Sequence, residues 1–77
     1  MRYYCVQSRS NAGPMQTYWV QAKSAELART LVALNVAAAV DARDGTLFDC
    51  IPDDTKTPPA GLIYSDTKGP IVIKALG

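Results

Sequence analysis

Ser24 followed by Ala25–Leu34 is the most constraining stretch of this chain, because it is the one clear helical signal among segments that otherwise read as strands. Ser24 offers a side-chain oxygen to the first turn, and Glu26 sets a negative charge at the positive end of the macrodipole. Leu27, Ala28, Leu31 and Leu34 recur at the spacing that lays an apolar stripe along a helix. One such helix cannot enclose a core alone, so its stripe must be buried against a sheet.

The strands are read from β-branched and aromatic enrichment. Arg2–Ser8 and Gln16–Ala22 form a hairpin across the turn formers Arg9-Ser10-Asn11-Ala12-Gly13-Pro14. Tyr18, Val20 and Ala22 share one face of the second strand, and Thr17, Trp19 and Gln21 the other. One of Tyr18 and Trp19 therefore belongs to the core, and its neighbour is an aromatic near water. After the helix, Asn35 is read as a left-handed terminus, and Val36–Ala42 either forms another short turn or continues the helix with a kink. Asp44-Gly45 closes that segment, and Thr46–Ile51 resumes a strand with Leu47, Asp49 and Ile51 on one side and Phe48 and Cys50 on the other. Pro52–Pro59 has the composition of an exposed loop. Gly61–Ser65 and Pro70–Lys74 flank a turn, Asp66-Thr67-Lys68-Gly69, whose glycine supplies positive φ. The expected fold is α+β: a small antiparallel sheet of four to five strands with one main helix on one face, in the order β-β-α-β-β-β.

Seventy-seven residues suffice for one domain spanning 1–77, and a chain of this size hides only about 60% of the surface its unfolded form exposes. No run approaches the roughly 20 apolar residues of a membrane span, and polar Gln7 arrives before an export signal can form. The expected location is the cytoplasm, where Cys5 and Cys50 stay reduced.

Chemistry finds little to work with. The chain has no histidine, no Cys-x-x-Cys spacing and no glycine-rich phosphate loop. The expectation is a non-catalytic protein with no cofactor, no metal and no membrane partner. The net charge of +1 conceals an uneven distribution: residues 1–40 carry +3, residues 41–54 carry −4 and the remainder +2. The carboxylates Asp41, Asp44, Asp49, Asp53 and Asp54 lack the alternating pattern of a calcium loop and read first as turn and strand-end groups. Gathered on one surface, they would meet Lys and Arg side chains of a partner. Trp19 and Tyr64 are the aromatic candidates for the same contact, since large aromatics dominate binding hot spots. A second copy of the chain is an equal candidate for pairing through an edge strand. Direct nucleic-acid binding, by Arg2, Arg9, Lys23, Lys56, Lys68 and Lys74 beside Tyr3, Tyr4, Tyr18 and Trp19, is the alternative.

The junction from Tyr18 to Arg29 carries a resemblance. A hairpin whose second strand ends in Val20-Gln21-Ala22-Lys23-Ser24 and leads into Ala25-Glu26-Leu27-Ala28-Arg29, followed by further strands, is similar to several very small phage and mobile-element proteins, anti-CRISPR inhibitors among them. That resemblance implies inhibition by occupancy: a compact protein binds a host complex, such as a type I CRISPR effector, and blocks its DNA recognition. Tyr3-Tyr4 also resembles the start of peptidoglycan-binding SPOR domains, from which the early second strand and single helix depart.

Overall fold

In the computed structural model, residues 2–9, 15–36 and 47–76 are described. The turn read over residues 10–14, the alternatives for residues 37–42, and Asp41 and Asp44 all lie outside them. The elements are β1 (Arg2–Arg9), β2 (Gln16–Ala22), α1 (Ala25–Asn35), β3 (Leu47–Pro52), β4 (Leu62–Ser65) and β5 (Gly69–Val72). All strand pairings are antiparallel, in the spatial order β3-β1-β2-β4-β5. No helix among the described residues is long and apolar enough to cross a membrane.

Alternation assigns the two faces. Tyr4 and Val6 of β1, Tyr18, Val20 and Ala22 of β2, and Ile63 of β4 form the core with Ala28, Leu31, Val32 and Val36 of the helical segment. Tyr3, Cys5, Gln7, Thr17, Trp19, Gln21 and Tyr64 consequently fall on the opposite face, which α1 does not cover. Tyr18 is the core member of the Tyr18–Trp19 pair; fully buried, its hydroxyl finds no hydrogen-bond partner among the described residues.

The helix begins as its sequence predicts. Ser24 has an extended backbone and its Oγ accepts from Leu27 N at 3.1 Å. The buried stripe is rotated from the expected one: Ala28, Leu31 and Val32 are buried, whereas Leu34 is 46% exposed. Asn35 is also not a left-handed cap. It is the last helical residue, followed by extended Val36, and among the described residues only glycines have positive φ.

Asn35 instead serves as a clamp. Its Nδ2 donates to Leu31 O at 2.8 Å and to Ala75 O at 2.7 Å, while Oδ1 accepts from Lys74 N at 2.7 Å and Ala75 N at 2.8 Å. One amide thus behaves like a short strand edge and fastens the segment after β5 to the helix end. The β4–β5 turn follows its glycine signal, with Gly69 at φ +73° and Ser65 Oγ accepting from Lys68 N at 3.1 Å.

Candidate functional site

Strand order creates the site. β3 lies at one edge while β4 lies beyond β1 and β2, so residues 53–61 must traverse roughly 14 Å, three strand spacings. The traverse lays Asp53, Thr55 and Lys56 beside the face that the helix leaves open. Pro58 within it is buried, which corrects the reading of Pro52–Pro59 as simply an exposed loop.

Trp19 and Tyr64 stand directly opposite on β2 and β4, with ring centroids 6.1 Å apart and planes tilted by 51°. That is a favourable aromatic geometry. Lys56 Nζ sits 5.5 Å from the Tyr64 ring centroid, within cation–π range. Trp19 Nε1 points at Asp53 Oδ2 across 3.5 Å, a long contact that orients the indole more than it binds it. The firm partners of Asp53 lie elsewhere: Oδ1 accepts from Thr55 N at 2.8 Å and from the Thr55 hydroxyl, and Asp53 N donates to Tyr3 O at 2.9 Å. Asp53 thereby closes an Asx turn at the point where the chain leaves β3.

These donors hold the Asp53 carboxyl below the usual carboxylate range; the Thr55 hydroxyl contributes most, then the Thr55 amide, with a smaller contribution from Trp19. A depressed carboxyl stabilises the turn above its unfolded-state pKa, and the effect fades as pH falls through the folded value. Trp19 fluorescence is therefore expected to titrate with a midpoint below that of an unperturbed aspartate, and Asp53→Asn should abolish the transition. A flat profile from neutral pH down to the onset of acid unfolding would remove the coupling between Asp53 and Trp19.

Beside this cluster, Arg2, Tyr3, Pro52, Asp53 and Asp54 line a shallow cleft of about 350 Å³. Three of the sequence candidates, Trp19, Tyr64 and Asp53, thus meet at one end of the open face, and Asp54 lines the adjoining cleft with Asp53. Asp49 is exposed on the same face, farther along β3. Sequence reasoning missed Thr55, and named Lys56 only for the nucleic-acid alternative and not as a neighbour of Tyr64. The Asp-x-Thr spacing is a visible Asx-turn signal for Thr55, whereas Lys56 reaches Tyr64 only through the crossing.

The surroundings of both thiols disfavour the thiolate form. Burial pushes the Cys5 thiol up, and the Asp53 carboxylate and Cys50 add to the shift; burial also raises Cys50, with Arg29 opposing. Both cysteines are free, and they belong to opposite faces of neighbouring strands, where no bridge can join them without rearranging the sheet. Among the described residues, no three Asp, Glu or Cys side chains are grouped to hold a metal ion.

Comparison of the chain with models of protein families, with curated protein sequences and with solved structures finds no match in any of the three. The functional reading accordingly rests on the geometry of the open face.

Proposed function

We propose that this chain is a small non-catalytic binding protein that grips a host protein complex through the Trp19–Tyr64 end of its open sheet face. The carrying observation is the half-buried Trp19, packed on Tyr64 and oriented toward Asp53, on the side of the sheet that α1 does not cover. A Trp restrained before binding loses little side-chain freedom on contact, and its large surface suits an interface anchor. Asp53 and Asp54 beside it favour a partner surface bearing Arg or Lys.

Its size and element order make a mobile-element inhibitor acting by occupancy the specific form of this proposal, with a type I CRISPR effector as the target to test first. Nucleic-acid binding is less favoured by the same geometry. Base stacking needs an accessible ring face beside positive charge. Here Lys56 covers a face of Tyr64, and the indole N–H of Trp19 is directed at a carboxylate that would repel phosphate.

The test is binding to purified effector complex by calorimetry. Trp19→Ala and Tyr64→Ala are each expected to weaken affinity by about tenfold or more, with circular dichroism confirming that the sheet persists. Asp53→Asn combined with Asp54→Asn should flatten the salt dependence of association. Unaltered affinity in the folded aromatic variants would discard this face as the interface, and salt-sensitive retardation of DNA by the isolated protein would favour the nucleic-acid reading.

A further inference from the structure

We infer that the outer edge of β3, with which no described strand pairs, is a pairing site for a second copy of this chain, joined antiparallel about a two-fold axis at Cys50. The inference follows from where the backbone hydrogen bonds of each strand are directed. In an antiparallel pair, residues that exchange hydrogen bonds alternate with residues that do not. Asp53 N donates to Tyr3 O, so the bonded pairs between β1 and β3 are Tyr3 with Asp53, Cys5 with Ile51, and Gln7 with Asp49. The N–H and C=O groups of Phe48 and Cys50, and the C=O of Pro52, therefore point away from β1. Among the described residues, no backbone group meets them.

The other sheet edge is partly closed by its own chemistry. Asp66 N donates to Thr17 O and Ile73 N to Gly61 O, which carries the same alternation through β4 to β5. Pro70, Val72 and Lys74 are then the outward positions on that side. Pro70 has no N–H, and the Lys74 N–H is taken by Asn35 Oδ1 at 2.7 Å. β3 is less protected: Pro52 likewise lacks an outward N–H, but those of Phe48 and Cys50 meet no backbone group among the described residues. The strand reads Leu-Phe-Asp-Cys-Ile before its terminal proline, with no lysine, and Ile51 is 60% exposed.

The outward groups of β3 are complementary to themselves. Pairing Cys50 with the second copy's Cys50 gives two reciprocal bonds, and each Phe48 N–H then meets the C=O of the opposite Pro52, while the Phe48 C=O, which a proline cannot serve, is left to water. A shift that pairs Phe48 with the second copy's Cys50 places the two Asp49 carboxylates directly opposite on one face, a destabilising arrangement. A shift that pairs Cys50 with Pro52 keeps only the two bonds from Cys50 N–H to Pro52 C=O within the strand, against four in the first register. The favoured register produces a continuous ten-stranded sheet and sets the two Cys50 Cα atoms about 5.5 Å apart, a separation that a disulfide spans.

Sedimentation velocity over a concentration series tests the inference, with a species of twice the 8.3 kDa chain mass expected as concentration rises. Cys50→Pro removes an outward N–H while leaving the β1 ladder intact, and should raise the dimer dissociation constant by at least about tenfold with unchanged circular dichroism. If that variant does not fold, diamide oxidation of the native protein decides. Two Cys50 thiols would lose two protons and two electrons to the diazene and form one intermolecular disulfide, which Cys50→Ser abolishes and Cys5→Ser does not. A wild-type chain that keeps its single-chain mass at its solubility limit overturns the inference. So does a dimer that persists in a folded Cys50→Pro variant, or one cross-linked through Cys5.

Discussion

Replacing Ile63 with Ala is expected to destabilise the fold by about 3 kcal/mol, within the range for truncating a buried isoleucine. Ile63 is fully buried on β4, between Val20 of β2 and Ile71 of β5, and it belongs to the cluster that the helix covers. A domain of this length has roughly 4–11 kcal/mol of total stability, so one side chain of this kind accounts for a large share. The melting temperature should fall by roughly 12–24 °C. Leu34→Ala is the informative control, because Leu34 is 46% exposed although it lies in the stripe that periodicity selects. Its loss should stay below about 1 kcal/mol. Equal losses at the two positions would mean that Leu34, as the spacing alone suggests, is buried and that the helix is rotated relative to the sheet. Thermal and urea unfolding followed by circular dichroism measure both.

That contrast marks the limit of local periodicity. Leu27, Ala28, Leu31 and Leu34 satisfy helical spacing as well as Ala28, Leu31 and Val32 do, and only the neighbouring sheet decides which arc is covered. Elements governed by local chemistry were legible: the Ser24 cap, the Gly69 turn, and the alternation that sets Tyr18 and Trp19 on opposite faces, although which of the two is buried was left to the structure. The five strands fall within one or two residues of their expected ends. Their spatial order was not legible, because β3 returns to the outer side of β1 rather than continuing beside its successor β4, and no local signal encodes that choice. The candidate site inherits the same division. Trp19 and Tyr64 could be named from residue type and alternation, and Asp53 from its place in an acidic run. Their juxtaposition, and the arrival of Lys56 over Tyr64, exist only because the chain crosses two strands between β3 and β4.

Asn35→Ala is expected to cost about 2–3 kcal/mol, from the loss of hydrogen bonds worth about 1 kcal/mol each and the exposure of the groups they satisfy. The side chain holds Lys74 N, Ala75 N and Ala75 O at once, so its removal should release the segment after β5 from the helix end. Amide hydrogen exchange at Lys74 and Ala75 should accelerate far more than exchange in β1 or β2, giving a local opening instead of a uniform loss of protection. Asn35→Asp separates the two halves of the clamp. A carboxylate still accepts from Lys74 N and Ala75 N but donates nothing to Ala75 O, so its stability should lie between wild type and Asn35→Ala. Unchanged exchange at Lys74 and Ala75 in Asn35→Ala would show that the segment is held by Ile73 and its apolar neighbours alone. The left-handed cap inferred from sequence and the observed clamp exploit the same property of asparagine, a short amide that imitates a peptide group. In the cap that group would serve its own backbone, whereas here it serves a segment 40 residues away. Helix termination then falls to extended Val36, whose N–H bonds to Val32 O at 3.0 Å while its side chain enters the core.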